Sequence, residues 1–341
     1  MRLRVRIIWL IAVAVAIGGA GAWAAMAAGR SPQPVVQQAA TAAARPRATP
    51  SSSVSPSPSP SPSPSPSPSR PSASPAIAVA GAPGGVKAKG AVLADAATGQ
   101  RLWSRDVDTE RPMASVTKVM TALLVLQAGN LGRQIRVPKA AVDYAWKYGG
   151  ETAALHPRDT LTAQQLLAAL LLPSGADAAY TLANAYGPGL NAFVARMNAT
   201  AVTMGMMHTH FTSPDGLPYP TETATYSTPS DLLTLGLAAM RYPAFQSIVD
   251  LRFYHLPKGR GHHQYWWDNT DALIGSYQGA VGIKSGYTDD AGHCLLFEAV
   301  RNGRTLIGVV LGSPATGPAA AAQDAERIMN WAFRLPRAHP G

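Results

Sequence analysis

A single cysteine, Cys294, stands among the 341 residues. That excludes an intramolecular disulfide and a zinc site built from cysteines; the thiol reads as a small buried apolar group in a strand. Acidic residues are absent from residues 1–86, where seven arginines supply all the charge. Taking those seven out of the net +10 leaves the rest of the chain at +3, with 22 basic and 19 acidic residues. With the folded part so nearly balanced, a nucleic-acid reading loses its main support, and no nucleic acid is expected as a partner. The histidines His208, His210, His262 and His263 have no acidic neighbour at ligand spacing. They read as structural or solvated residues, so neither a metal nor a cofactor is expected.

What is present falls into three parts. Met1–Arg6 is short and basic, and Ile7–Gly29 follows with no charge at all. A run of about 20 apolar residues is long enough to span a bilayer. Ala22-Trp23-Ala24 and Ala25-Met26-Ala27 are also small-x-small sites where a secretory signal could be cut. Signal peptide or membrane anchor, residues 1–30 place the rest of the chain outside the cytoplasm, because the positive end stays inside. Residues 31–86 are Pro/Ser/Ala-rich, with strict Ser-Pro alternation from Ser55 to Ser69. This composition cannot bury enough apolar surface to fold. It reads as a stiff polyproline-like spacer of about 3.1 Å per residue, the plainer alternative being passive low complexity.

From Lys87 onward the pattern is globular, giving one catalytic domain over 87–341. Ala91–Asp95 and Arg101–Ser104, split by a turn at Thr98-Gly99, predict a β-hairpin. Helices are expected at Val119–Leu126, Leu161–Leu172 with Thr160 as cap, Ala178–Ala185, Leu190–Val202 and Ser230–Met240. Val281–Lys284, Cys294–Val300 and Thr305–Leu311 read as three strands, the last two joined at Asn302-Gly303. A last helix spans about Ala319–Phe333 and packs on the sheet. The expected class is α/β (α+β): an antiparallel sheet built from both chain ends, flanked by helices, with a helical lobe inserted. Trp266-Trp267 is expected to serve packing.

Three short patterns carry chemistry. In Ser115-Val116-Thr117-Lys118, at a helix start, residues three apart share a face. Lys118 then lies beside the Ser115 hydroxyl, which needs a base to become a nucleophile. A buried ammonium gives up its proton more readily and can be that base. Lys284-Ser285-Gly286, at the end of the strand Val281–Lys284, offers fixed positive charge, a hydroxyl for a carboxylate, and room for a peptide along the strand. Pro173-Ser174-Gly175-Ala176-Asp177, between two helices, adds a second hydroxyl. Alone, each is common; a capping serine with a solvated lysine explains the first equally well.

Their order and setting are less common. S-x-x-K, S-D-N and K-T-G form one signature of penicillin-binding proteins and class A β-lactamases. The blocks Ala114–Ala122, Leu172–Ala179, Ser213–Leu217 and Gly282–Thr288, with Ala291-Gly292, resemble the D-alanyl-D-alanine carboxypeptidase family of low-molecular-mass penicillin-binding proteins. The resemblance runs from about Gly90 to Pro314. It implies a β-lactamase/transpeptidase-like fold and a serine-type D-Ala-D-Ala carboxypeptidase, a hydrolase acting on peptidoglycan stem peptides and acylated by β-lactam antibiotics. It further implies Ser115 as the acylated serine, Lys118 as its base and Ser174 as proton relay. Lys284, Ser285, Gly286, Tyr287 and Thr288 would then bind substrate, with the backbone N–H groups of Ser115 and Tyr287 forming the oxyanion hole.

Two departures matter. Ala176 stands where the family has the Asn of S-x-N, and losing one preorganised donor commonly costs about 10²–10³ in rate. A penicillin- or peptidoglycan-binding protein with little turnover is therefore the alternative. Ser285 for Thr in K-T-G keeps the hydroxyl. A class A β-lactamase would need a deacylating Glu after the second block. Beyond Asp177 only Glu222, Glu298 and Glu326 exist, in unsuitable contexts. No β-rich appendage or amphipathic anchor is expected after the last helix, so any membrane attachment is at the amino end.

Overall fold

The structure is a computed structural model that describes residues 81–221, 223–314, 316–317 and 319–336. The expected leader (1–30) and most of the Pro/Ser-rich segment (31–80) lie outside the described residues. No helix among the described residues is long and apolar enough to cross a membrane.

The chain begins with a hairpin, β1 (Gly90–Asp95) and β2 (Arg101–Arg105), and a short β3 (Arg111–Pro112). A 3-10 turn, Ala114–Thr117, runs directly into α1 (Lys118–Ala128). The inserted lobe follows: β4 (Gln134–Arg136), α2 (Lys139–Lys147), β5 (Thr160–Thr162), α3 (Ala163–Leu171), α4 (Ala176–Tyr186) and α5 (Leu190–Thr203). Then come β6 (Tyr226–Ser227), α6 (Pro229–Ala239), α7 (Pro243–Val249) and the hairpin β7 (Phe253–Leu256) and β8 (Tyr265–Asp268). Three long strands, β9 (Ala280–Thr288), β10 (Gly292–Arg301) and β11 (Arg304–Ser313), and the helix α8 (Ala320–Ala332) complete the described chain.

The main sheet has the order β2-β1-β11-β10-β9 and is antiparallel throughout. The first strands thus pair with the last, as the hairpin and the three late strands predicted. Side chains alternate across a pleated strand, and both faces of this sheet are covered. Val92, Leu296, Ile307 and Val309 belong to one core with α6, where a Cβ on Gly236 would lie 2.8 Å from Leu296 Cδ1. Leu93, Leu295, Phe297 and Val310 belong to a second core with Ile328 and Met329 of α8. Each such aliphatic side chain removed from water contributes about 1.5–3 kcal/mol. The second core also takes in Val86, and the Lys87 N–H donates to Asp324 Oδ1 at 2.8 Å. Cys294 is buried on β10, as expected of a thiol in a strand.

Two expectations need correction. Thr160 does not cap the helix: Thr160–Thr162 pairs with Gln134–Arg136 as β5, and α3 starts two residues later. Thr162 is the cap; its Oγ1 accepts from the Gln165 N–H while Gln165 Oε1 accepts from the Thr162 N–H. That reciprocal pair outcompetes a Thr160 start. Lys284-Ser285-Gly286 lies within β9 rather than at a strand end, because the ladder to β10 continues to Thr288↔Gly292. The Trp pair splits: Trp267 is buried, its Nε1 donating to the Ala153 carbonyl at 2.8 Å, whereas Trp266 is 55% exposed.

Leu296 joins the sheet to α6, and Leu296→Ala is expected to lower the unfolding free energy by about 2–5 kcal/mol. Urea denaturation with an unchanged slope would establish this.

Candidate active site

Ser115 occupies the second position of the 3-10 turn, so its geometry is that of the turn. Ala114 is held at φ +48°, a conformation L-residues visit at a cost. Two glycines keep it there. Gly216, at φ +82°, lies so close that a Cβ would stand 2.0 Å from the Ala114 carbonyl oxygen. On the other side, a Cβ on Gly286 of β9 would stand 2.8 Å from the Ser115 nitrogen. The serine turn is therefore clamped between the Ser213–Leu217 loop and the edge strand of the sheet. That loop is itself anchored: Thr121 Oγ1 donates to the Pro214 carbonyl at 2.6 Å, and Ser213 Oγ donates to Asp215 Oδ1 at 2.8 Å.

Lys118, 1% exposed, donates from Nζ to Ser115 Oγ at 2.9 Å and to the Asp215 carbonyl at 2.9 Å. Loss of hydration lowers its pKa from 10.5 to about 8, against the opposing pull of Asp215, Glu151 and Asp177. Lys284 is equally buried, and its Nζ has no hydrogen-bond partner among the described residues. Burial first, and repulsion from Lys118 second, lower it to about 7, with Asp271 and Glu151 pulling the other way. The two ammonium groups thus share one dry region with Ser115 beside it, and their first proton leaves in the neutral range. Of the two, Lys284, which has no partner among the described residues, is the more strongly depressed, while Lys118 is the amine placed in contact with the Ser115 hydroxyl.

Ser174 lies between α3 and α4 at φ +66°, buried, its Oγ without a partner among the described residues. Ala176 and Asp177 form the first turn of α4 rather than a loop. Asp177 is a bracket for the neighbouring segment: its carboxylate accepts from Thr152 Oγ1 (2.7 Å), Ala153 N (3.0 Å) and Leu155 N (3.0 Å). Ala176 N–H donates to the Glu151 carbonyl at 2.7 Å. The Ala176 methyl is wholly buried.

A cleft of about 270 Å³ brings the pieces together, lined by Ser115, Ser174, Ser285, Gly286 and Tyr287 among others. Ser285 Oγ lies 2.9 Å from Thr270 Oγ1, and Thr270 bonds the Leu172 carbonyl through both its N–H (3.1 Å) and its hydroxyl (3.2 Å). Thr270 thereby ties the Lys284 strand to the stretch that carries Ser174. Tyr287 stacks obliquely on His293 with ring centroids 4.6 Å apart, forming a wall of the cleft. Thr288 is not brought to the lining. It sits at the turn into β10, where its Oγ1 accepts from the Ala291 N–H at 3.2 Å.

Sequence reasoning missed Glu151, Thr270, Asp271 and His293, all on the cleft lining. Asp271 is buried, and burial pushes its carboxyl up to about 6 although Lys284 draws it down. A lone Glu, Thr or Asp more than a hundred residues from Ser115, or on the far side of a loop, carries no local signal. The histidines have acidic partners, but distant ones: His208 Nδ1 is 3.2 Å from Glu110, and His263 Nδ1 is 3.0 Å from Asp159.

The sequence profile described as D-alanyl-D-alanine carboxypeptidase matches residues 77–315. A D-alanyl-D-alanine carboxypeptidase of Streptomyces sp. (strain K15) is 38% identical over 262 residues, covering 73% of this chain and 88% of that protein. The D-alanyl-D-alanine carboxypeptidase DacB2 of Mycobacterium tuberculosis is 36% identical, covering 73% of this chain and 84% of that protein. The crystal structure of the Streptomyces K15 DD-transpeptidase matches with a TM-score of 0.69 at 37% identity, over 73% of this chain and 98% of the other.

Two outcomes follow from the paired lysines. The second-order rate of Ser115 acylation, followed from pH 5 to 9, is expected to rise through the range of about 7 to 8. Lys284→Met is expected to move that limb to higher pH, since it removes a positive neighbour of Lys118. The same variant is expected to be more stable than the parent by about 1 kcal/mol or more. A buried lysine of lowered pKa destabilises the fold fully below its folded pKa, and the penalty fades as pH rises toward 10.5. The gain should therefore be larger at pH 6 than at pH 9 in thermal melts.

Proposed function

Because the chain belongs to the D-alanyl-D-alanine carboxypeptidase family of serine DD-peptidases, we propose that it removes the terminal D-alanine from peptidoglycan stem peptides through an acyl-enzyme on Ser115. The observation that carries this reading is the 2.9 Å contact from a buried Lys118 Nζ to Ser115 Oγ at the wall of the cleft. A base whose pKa is near the working pH suits proton transfer in the transition state.

In this account Lys118 takes the Ser115 proton as Oγ bonds to the carbonyl carbon of the penultimate D-alanine. The developing oxyanion is held by the N–H groups of Ser115 and Tyr287. The tetrahedral centre collapses, the carbon–nitrogen bond breaks, and the proton passes from Lys118 through Ser174 to the departing amine. Water then attacks the ester, gives its proton to Lys118, and Ser115 Oγ is released with its hydrogen restored. The substrate's terminal carboxylate lies against Ser285 and Thr270, with Lys284 supplying positive charge behind them.

In this reading the amide missing at position 176 slows turnover without barring acylation, supported by the contact of Lys118 with the Ser115 hydroxyl at 2.9 Å. An amine in place of water would make the same acyl-enzyme a transpeptidase, and the solved K15 relative is described as one. The basic and apolar leader supports a location outside the cytoplasmic membrane, with the Pro/Ser-rich segment as spacer.

Full chain given a D-Ala-D-Ala peptide is expected to release free D-alanine, and labelled penicillin should add to its intact mass. Ser115→Ala should remove both, and Lys118→Ala should slow acylation by about 10²–10⁴. A stable penicillin adduct without any D-alanine release would favour a binding protein; release that survives Ser115→Ala would end the proposal.

A further inference from the structure

Glu151 is the one carboxylate on the cleft lining that is exposed, and it makes no side-chain hydrogen bond or ion pair among the described residues. Its backbone is nonetheless held on both sides. Its own carbonyl accepts from Ala176 N–H at 2.7 Å, and Asp177 accepts from Thr152, Ala153 and Leu155 within 3.0 Å. With a methyl at 176 buried out of reach, this wall of the cleft offers a ligand the Ser174 hydroxyl and the Glu151 carboxylate. The cleft is small: about 270 Å³, below the roughly 300–1,000 Å³ of sites that enclose drug-sized ligands. A D-alanyl-D-alanine end would take up most of that volume, leaving the residue before the pair toward solvent, where Glu151 is exposed.

We infer that Glu151 is a specificity residue that receives a cationic side chain of the substrate peptide, the free ω-ammonium of a diamino acid preceding the D-alanyl pair. The inference rests on the DD-peptidase reading and adds to it a substrate class: stem peptides whose ω-amine is unacylated. Its physical logic is a charge left open on purpose by geometry. Glu151 pulls both Lys118 and Lys284 toward their protonated forms, so an empty carboxylate here opposes activation of Ser115. An ammonium placed on it cancels that opposition at the moment the substrate is bound. A peptide whose ω-amine is tied up as an amide cannot do so, which sets a free stem peptide apart from a crosslinked one.

The test uses the full chain with two peptides, Nα-acetyl-L-lysyl-D-alanyl-D-alanine and its Nα,Nε-diacetyl counterpart, and compares kcat/KM for D-alanine release. The free ammonium is expected to be preferred by about threefold to fivefold, the scale of a partly exposed ion pair, and the preference should shrink as salt is raised. Glu151→Gln should bring the ratio to about one, and Glu151→Lys should invert it. Equal rates with the parent protein, or a ratio kept in Glu151→Gln, overturn the inference while leaving the peptidase intact. A Glu151 that served structure alone would lower both substrates together and keep the ratio, which also overturns it. No D-alanine from either peptide overturns the DD-peptidase reading itself.

Discussion

Two lysine ammonium groups, both buried and close enough for one to depress the other electrostatically, are the constraint on which this structure turns. Removing an ammonium from water can shift its pKa by three to five units, and each of the two also opposes the charge on the other. Four carboxylates, Asp177, Asp215, Glu151 and Asp271, oppose that shift in one lysine or both, and they do not cancel it. A region so arranged releases one proton in the neutral range. In the proposed acyl transfer, one amine would accept the Ser115 proton and the other group would offer positive charge to the developing negative charge.

The fold serves this arrangement through clearance more than through attraction. Gly216 and Gly286 have no side chains because the serine turn runs between them with no space for a Cβ. Behind β9, two cores hold the sheet rigid: α6 covers one face and α8 the other. The long ladders β9–β10–β11 and the pairing of β1 with β11 bring both ends of the globular part to one sheet. The strand bearing Lys284 is an edge strand of that sheet, with no further strand paired beyond it among the described residues.

Much of this was legible in the sequence for identifiable reasons. Ser115 and Lys118 are three residues apart on a helical turn, so their contact is local and readable. The helices and the late strands are long and strongly patterned, and only their limits moved: Thr162 displaced Thr160 as cap through its exchange with Gln165. Reading Lys284-Ser285-Gly286 as a strand end failed because pairing with β10, not local preference, carries β9 on to Thr288. Thr270, Asp271, His293 and Glu151 were not legible, since each reaches the cleft through contacts across long stretches of chain. Thr288 was assigned by resemblance alone; its Oγ1 accepts from the Ala291 N–H at the turn into β10, which leaves its hydroxyl proton free to donate.

The most direct test of the paired-lysine account is an NMR titration of the full chain with lysine labelled at Cε. Two signals should titrate between about pH 6 and 9, one vanishing in Lys118→Met and the other in Lys284→Met, with the survivor moving to higher pH in each variant. Lysine signals that all titrate above pH 10, with neither variant affecting the rest, would contradict it.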